Sequence, residues 1–451
     1  MRVGVGEVDI TPQVGISMAG LPNYRESEGV HDKIYTWAMV FDDGFTQVAL
    51  VTCGLLALKR QTVIGAREII EKKFGIPGRN VMISATHSHS GPQTTDIFSI
   101  KADEDYVKTL PDKIAGALGR AVENATEARI GIGSVNEYRL SYNRRFIMRD
   151  VTSECQPEKD SDEVLWNEGP IDPQVGVLFA EDMGGKVIGV LVNFACHPTC
   201  TCTATKNLIS ADYPGYIDPV IRKIKGDGVV VLFANGALGN INHVDYSNPN
   251  TNEFGYEWAR WMGSELARDA LRVMEATNTS TECSLGVRSE VIKIPIREIP
   301  DEDLKRAKEA SEGAKLPITS PQEWRGGGLT ANFLEHPFWR GMWAREIVLL
   351  AEEKEKNPNV DVEVQAISVG NSAFVGVPVE YFAEFGLEMK EKSKIKPAFV
   401  VGLANGCAGY VPTLRAFKGG GYETKTACSS KLVPEAGRMI LDTAMRLLRK
   451  P

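Results

Sequence analysis

The most informative stretch of this chain is Val81-Met82-Ile83-Ser84-Ala85-Thr86-His87-Ser88-His89-Ser90-Gly91-Pro92, in which two histidines follow an apolar run. Residues 81–85 form an apolar run of the length of a buried strand, and the Gly-Pro that follows turns the chain. In a strand, positions i and i+2 face the same side, so both imidazoles would point one way, about 7 Å apart. Two imidazoles where a strand ends are typical of a zinc site or an acid/base pair, and the chain has only 6 histidines. On spacing alone, polar residues that merely end a strand remain an equal alternative.

Other apolar runs are also followed by short polar loops, as buried strands would be; they cover residues 47–52, 187–193, 229–234, 374–377 and 399–403. Helical patterns separate several of these runs, at 61–74 with Gly75 as the C-cap, at 214–225 and at 380–392. This alternation predicts parallel βαβ units. The fold class we expect is therefore α/β, with a mixed, largely parallel sheet or sheets flanked by helices.

Ligands bind beyond the carboxyl ends of the strands in sheets of this kind. The loops that fall there carry His87, His197, Glu380 and Tyr410, and we expect a metal site at this carboxyl edge. Each residue alone also has a plainer interpretation. His197 would be a histidine at a turn, Glu380 an acid at a helix start and Tyr410 a packed aromatic ring.

Two short segments add further candidates for chemistry. The pattern Cys-His-x-x-Cys-x-Cys at 196–202 has the donor types of a thiolate metal site, but such a site would leave the His-x-His pair without a purpose. Asn143, Arg144 and Arg145 form a segment whose two guanidinium groups suit a substrate carboxylate or phosphate. A basic pair at the protein surface is the plainer interpretation of that segment.

The stretch 298–356 differs in character from the rest of the chain. It is charged and helical at first, and it then holds Trp324-Arg325-Gly326-Gly327-Gly328 and the aromatic pair Phe338-Trp339. We interpret it as an inserted helical cap over the site, with a surface helical excursion as an equal alternative.

Composition excludes several classes of function. The chain has 451 residues, of which 43% are hydrophobic and 24% charged, as in ordinary globular proteins. Its net charge of -8 is spread along the chain without a basic stripe, so nucleic acid is excluded as a partner. No run approaches the roughly 18 apolar residues of a membrane span, and the N-terminus lacks the apolar core of a signal peptide. The 8 scattered cysteines do not form a disulfide framework, and we expect a cytoplasmic protein.

These motifs, in their order along the chain, resemble the neutral/alkaline, non-lysosomal ceramidase family in its catalytic domain. The matching segments are Gly4-Val5-Gly6-Glu7-Val8-Asp9-Ile10-Thr11, Gly29-Val30-His31-Asp32, Ala85-Thr86-His87-Ser88-His89-Ser90-Gly91-Pro92, Asn193-Phe194-Ala195-Cys196-His197-Pro198-Thr199, Ser210-Ala211-Asp212-Tyr213-Pro214-Gly215, Pro378-Val379-Glu380, Gly409-Tyr410-Val411-Pro412-Thr413 and Gly420-Gly421-Tyr422-Glu423. One such motif is weak, whereas the ordered series is specific. The resemblance implies that residues 1–451 form a single ceramidase-like catalytic domain.

The resemblance also implies a catalytic Zn²⁺. Carried over by motif, its ligands are His87, His197, Glu380 and Tyr410. His89 is then the partner that contacts substrate or shuttles protons.

Two features depart from the family pattern. In ceramidases a serine follows the loop after the fourth of these strands and takes part in amide cleavage, whereas Asn242 stands at about that place here. Ceramidases also carry a C-terminal β-sandwich domain after the catalytic domain, and this chain stops before it. Both departures weaken ceramide as the substrate, while the four metal positions remain.

We expect a zinc-dependent hydrolase that cleaves an amide or related acyl bond by metal-activated water. Tyr410 would help to stabilise the oxyanion, and His89 would protonate the leaving group. Asn242 would form a hydrogen bond without acting as a nucleophile, and residues 143–145 would orient an anionic or polyhydroxyl substrate.

Three alternatives stay open from the sequence. The same metal would also serve a lyase or isomerase that acts on a sugar-like or hydroxylated substrate. The protein could instead bind a ligand in a metal-dependent way without catalysis. A thiol route through Cys196 lacks any feature that would activate the thiol. The expected partner is a small-molecule substrate, and a homo-oligomer stays open.

Overall fold

The structure is a computed structural model that describes residues 1–204, 206–312 and 337–449. The helices in these ranges are α1 (Arg60–Phe74), α2 (Glu104–Glu123), α3 (Ile217–Lys225), α4 (Tyr256–Ala276), α5 (Asp301–Glu312), α6 (Pro337–Lys356), α7 (Ala383–Lys392), α8 (Leu414–Gly419) and α9 (Ala436–Leu447). The strands in these ranges are β1 (Arg2–Asp9), β2 (Gly29–Val30), β3 (Tyr35–Asp42), β4 (Gln47–Cys53), β5 (Val81–Ala85), β6 (Thr126–Asn136), β7 (Tyr142–Asn143), β8 (Arg145–Met148), β9 (Ser153–Cys155), β10 (Val164–Asn167), β11 (Gln174–Asp182), β12 (Val187–Phe194), β13 (Leu208–Ile209), β14 (Val230–Asn235), β15 (Ile241–Asn242), β16 (Leu285–Pro295), β17 (Asn359–Val369), β18 (Ser372–Gly376), β19 (Glu380–Tyr381), β20 (Ala398–Val401) and β21 (Tyr410–Val411).

The largest sheet has eight strands in the order β14-β12-β11-β6-β1-β3-β4-β5. Its strand pairs are antiparallel except β12–β14 and β4–β5, one pair at each edge. A second sheet, β16-β17-β18-β20, has only the pair β18–β20 parallel. The sheets are mixed as expected, but the expectation that they are largely parallel is wrong. A strand covered on both faces reads as one continuous apolar run in either orientation, so the pattern could not separate the two.

The two sheets pack face to face, with helices on both outer surfaces. Along β11, Val177 and Phe179 point to the core shared with α3 and α4, while Leu178 points the other way. That second face shares its core with residues of the four-stranded sheet, including Phe374 and Phe399. The outer face of the four-stranded sheet packs against α7 and α9. The architecture is therefore helix, sheet, sheet, helix, a mixed α/β fold with its sheets flanked by helices.

The parallel pairs at the two edges of the large sheet come together at one place. Asn235 ends β14, and its Nδ2 donates to the carbonyl oxygens of Thr86 (3.0 Å) and Cys196 (2.9 Å). These two carbonyls belong to the segments that leave β5 and β12. The sheet is thus curled so that strand exits from both of its edges meet, and His87 and His197 follow these exits directly.

Helix boundaries match the patterns closely, with one exception that concerns the site. The helix expected at 61–74 is α1, and Gly75 ends it at φ 74°. The helix expected to start at Glu380 starts at Ala383, because Glu380 belongs to the short strand β19. Glu380 is therefore not a helix-start acid.

The predicted cap at 298–356 contains α5 and α6, which pack together through Ala307, Ala344 and Val348. Its Trp324–Gly328 portion lies within 313–336, outside the described residues.

Candidate metal centre

His87 and His89 face each other, but not for the reason that the spacing suggested. The strand ends at Ala85, and His87 has φ 73°, a left-handed conformation that is uncommon for residues other than glycine. The ring centroids are 4.7 Å apart and the ring planes nearly perpendicular, and the two Nε2 atoms are 3.2 Å apart. An irregular turn, and not the alternation of a strand, brings the two imidazoles together.

His197 joins this pair, and all three rings are oriented by backbone carbonyls. Each Nδ1 lies 2.9 Å from a carbonyl oxygen; these belong to Leu56 for His87, to Gly20 for His89, and to Leu238 and Ile241 for His197. Because a carbonyl can only accept, each Nδ1 carries the proton and each Nε2 presents a lone pair. The three Nε2 atoms can lie around one point, since the ligand atoms are all within 4.8 Å of one another.

Glu380 completes the cluster with a carboxylate. The strands β19 and β21 are parallel, with Glu380 and Tyr410 as register partners, so both side chains enter the site from adjacent backbone positions. The Oε2 atom of Glu380 is 3.3 Å from Nε2 of His87 and 3.2 Å from Nε2 of His197. Burial opposes the charge on Glu380, but the adjacent His87 and His197 outweigh burial and hold its pKa well below the usual range.

The cluster consists of groups that accept and do not donate. Burial, followed by the charge of Arg144, lowers the pKa of His197 to about 3, and burial with the two other histidines holds the pKa of His89 well below its usual value. Imidazole nitrogens and a carboxylate oxygen that converge on one place are the ligand types that zinc takes. Carbonyls on the far ring nitrogens are also the usual second layer of a metal site. The donor set therefore fits a zinc ion.

Tyr410 approaches the cluster and is held by an arginine. Its hydroxyl is 3.4 Å from Nε2 of His197, and it accepts a hydrogen bond of 3.1 Å from Nη2 of Arg144. The Nε atom of Arg144 in turn donates to Glu423 at 2.8 Å, and Arg145 donates to the other oxygen of Glu423 at 2.6 Å. The positive charge of Arg144 is thus already paired.

A half-open cavity of about 200 Å³ lies beside the cluster, and we call it the chamber. The residues that line it are Gly20, Leu21, Pro22, His89, Phe98, Arg144, Gln156, His197, Thr199, Cys202, Thr203, Asn242, Phe254, Trp339, Tyr410 and Tyr422. The lining combines polar groups next to the metal cluster with aromatic and aliphatic side chains such as Phe98 and Trp339. Such a combination is typical of small-molecule sites.

Asn242 presents hydrogen-bond donors to the chamber. Its Oδ1 accepts from the backbone N–H of His243 at 2.6 Å and from the hydroxyl of Thr199 at 3.4 Å. Since a backbone N–H can only donate, this contact fixes which end of the amide is oxygen. The Nδ2 group therefore faces away from His243, and Asn242 lines the chamber.

Some predicted site residues lie away from the chamber. Arg145 is fully buried and pairs with Glu168 and Glu423, and Asn143 donates to the carbonyl of Pro170. Neither lines the chamber, and of the segment 143–145 only Arg144 reaches it. Burial also holds the pKa of the Cys196 thiol well above its usual value, which opposes a thiolate there.

Two supporting residues were not predicted. Asn235 bonds to both histidine-bearing segments, as described above. Arg25 is buried and donates to the carbonyls of Ala19 (2.7 Å), His89 (3.1 Å) and Cys202 (3.0 Å). No periodicity or spacing marks either residue, because all their partners but Ala19 are backbone atoms far away in the chain.

A buried cluster of three imidazoles and one carboxylate, placed where strand exits of an α/β sheet meet and beside a small chamber, defines the protein as one with a candidate metal centre for small-molecule chemistry. Comparison with known proteins identifies the family. Residues 1–251, more than half of the chain, match the model of the neutral/alkaline non-lysosomal ceramidase N-terminal domain. The chain belongs to this family, and membership implies a hydrolase of an amide bond.

Individual relatives agree with this assignment. A neutral ceramidase of Pseudomonas aeruginosa is 25% identical over 94% of this chain and 68% of its own length. Neutral ceramidase B of Dictyostelium discoideum is 26% identical over 55% of this chain and 36% of its own length. The solved structure of the Pseudomonas aeruginosa enzyme matches this chain with a TM-score of 0.72 at 21% sequence identity. The match includes 100% of this chain and 75% of the chain of the enzyme. This likeness shows the fold. Among the described residues, no helix is long and apolar enough to cross a membrane.

Proposed function

We propose that this protein is a zinc-dependent hydrolase of an amide bond. The observation that carries the proposal is the convergence of possible metal-ligand atoms from His87, His197 and Glu380, with the hydroxyl of Tyr410 beside them. Bound zinc lowers the pKa of water to about 7 and polarises a carbonyl group, which is the chemistry that amide hydrolysis needs at neutral pH.

The chain's own residues have separate roles in this proposal. Asn242 donates from Nδ2 to the carbonyl oxygen of the substrate, where negative charge develops. Arg144 holds the Tyr410 hydroxyl in place. His89, which lines the chamber and is neutral at pH 7, carries a proton between the attacking water and the leaving nitrogen. Ceramide is not proposed as the substrate, because Asn242 stands where the family pattern has a serine that takes part in cleavage.

His89 has a second candidate role as a ligand, since its Nε2 belongs to the same cluster of imidazole nitrogens. The variant His89→Ala separates the two roles. If His89 is a proton carrier, the variant keeps its zinc and its kcat falls by about 10²–10⁴-fold. If His89 is a metal ligand, the variant loses zinc.

The test of the proposal is metal content by elemental mass spectrometry on the wild type and on His87→Ala/His197→Ala. We expect one zinc per chain in the wild type and none in the double variant. Hydrolysis of simple N-acyl amides in ¹⁸O-water should then place one solvent oxygen in the acid product, which a lyase or isomerase would not do. A wild type that holds no metal and takes up no added zinc would refute the proposal.

A further inference from the structure

The apolar side of the chamber is a separately built wall. Phe98 and Trp339 belong to a small hydrophobic cluster with Met342, Trp343 and Ala427, distinct from the cores of the two sheets. Aromatic rings continue this wall toward the metal cluster: the ring centroids of Trp343 and Tyr422 are 5.8 Å apart, and those of Tyr422 and Tyr410 are 5.7 Å apart. The wall therefore borders the space that a substrate would occupy next to the candidate metal ligands.

The turn that carries Phe98 is held in a strained conformation. Phe98 and Ser99 have φ values of 53° and 63°, and Ile97 and Ile100 exchange backbone hydrogen bonds of 3.1 and 2.9 Å around them. Left-handed conformations at bulky residues carry a backbone cost and are concentrated at functional sites. The strain places the ring of Phe98 in the wall, where it is 4% exposed.

The helix α6 is tied to the same turn. The buried carboxylate of Glu346 accepts from the backbone N–H of Ser99 at 3.3 Å and from that of Cys428 at 3.2 Å. One side chain thus joins the helix that carries Trp339 to the turn that carries Phe98. The position of the wall is therefore determined by these contacts.

The size of the chamber limits what fits between this wall and the cluster. A cavity of about 200 Å³ is below the roughly 300–1,000 Å³ of sites for drug-sized ligands. The side chains on the apolar side carry no charge, and the one guanidinium, that of Arg144, is paired with Glu423.

We propose that Phe98 and Trp339 limit the substrate to a short, uncharged acyl group. The inference rests on the proposed amide hydrolase activity and assigns its substrate class as short-chain N-acyl amides. A long acyl chain would have to displace the wall, and with it the contacts of Glu346.

The test uses the zinc-loaded full chain and N-acylethanolamines with acyl groups of 2 to 16 carbons, with released ethanolamine measured by mass spectrometry. We expect the highest kcat/KM between 2 and 6 carbons and at least a tenfold lower value at 12 carbons. Phe98→Ala and Trp339→Ala should each move the optimum to longer acyl groups. Met342→Ala is the matched control, because Met342 is buried in the same cluster but does not line the chamber, and it should keep the wild-type profile.

Each outcome of this test is decisive. A wild-type optimum at 12 carbons or more, or an unchanged profile in both wall variants with normal thermal unfolding, overturns the inference and leaves the hydrolase proposal intact. If one wall variant does not fold, Phe98→Leu and Trp339→Phe replace it with a smaller expected shift. Failure to cleave any amide in the series overturns the proposed function and, with it, the substrate class.

Discussion

Asn235 shows how a single side chain determines the geometry of the site. Its Nδ2 donates to Thr86 and Cys196, and its Oδ1 accepts from the backbone N–H of Cys196 at 3.2 Å. Thr86 and Cys196 directly precede His87 and His197 in the chain. The two candidate ligands therefore depend on one buried amide for their relative positions, although neither ligand contacts it.

We predict that Asn235→Ala lowers zinc affinity by about tenfold or more, the usual effect of removing a supporting group around a metal. Competition with a fluorescent zinc chelator would measure this affinity. Asn193→Ala is the control: Asn193 is equally buried and donates to the carbonyls of Ala234 and Val400, both at 2.9 Å, away from the histidine loops. It should cost similar stability and leave zinc affinity unchanged. Equal affinities in both variants would contradict the positioning role.

The residue scale is also where prediction from the sequence was weakest. His87 and His89 were expected to point to the same side of a strand. The two side chains do come together, but through the positive φ of His87, which no pattern of residue types predicts. Arg145 has the composition of an anion site, yet it is fully buried against two carboxylates that are distant in the chain. Contacts between distant segments decide both cases, and a local pattern contains no information on them.

At the scale of elements, charged pairs tie the short strand β8 to the turn at Tyr422–Thr424. Glu423 accepts from Arg144, just before β8, and from Arg145, its first residue. Burial raises the pKa of Glu423, but Arg144 and Arg145 outweigh burial and hold it at about 2. Because removing one partner leaves the other charges buried, we predict that Glu423→Gln lowers the free energy of unfolding by about 3–5 kcal/mol at pH 7.

This difference should depend on pH in a defined direction. Since the pKa of Glu423 is lowered in the folded protein, its stabilisation is complete above the unfolded value of about 4.3 and is lost as the pH falls toward 2. Urea unfolding should therefore show the gap between wild type and variant narrowing by about 1 kcal/mol between pH 5 and pH 3.5. Glu388→Gln, which breaks a partly exposed pair with Arg438, is the control and should cost about 0–1 kcal/mol. A constant gap would contradict the assigned pKa.

The sequence predicted many of the strands and helices, because apolar runs and helix caps are local properties. It did not predict in general whether neighbouring strands are parallel or antiparallel. The apolar runs at 187–193 and 229–234, separated by a helical pattern, were expected to form a parallel βαβ unit. They correspond to β12 and β14, which pair in parallel. The antiparallel strands β1, β3, β6 and β11 lie between the edges of the large sheet and were not among the apolar runs interpreted as buried strands. The candidate residues still fell together because they follow the few parallel pairs, at whose carboxyl ends ligand sites form.

At the scale of the whole molecule, the two sheets share one core, and this bears on whether the chain unfolds as a unit. Phe399 of β20 stacks on Phe374 of β18 with centroids 5.0 Å apart. It also lies directly over Gly176 of β11, where an added Cβ would come within 2.3 Å of its ring. The ring of Phe399 therefore packs into the space above Gly176 where another residue would have a side chain, and it joins the two sheets through one contact.

We predict that Phe399→Ala lowers the free energy of unfolding by about 3–5 kcal/mol, the usual cost of emptying an aromatic site in a core. Because the core is shared, hydrogen exchange should speed up together in β3 of the large sheet and β17 of the second sheet, as one domain requires. Phe45→Ala is the control, since Phe45 is 99% exposed and should change stability by about 0.5 kcal/mol at most. Faster exchange in β17 with unchanged exchange in β3 would instead divide the chain into two domains, each with its own stability.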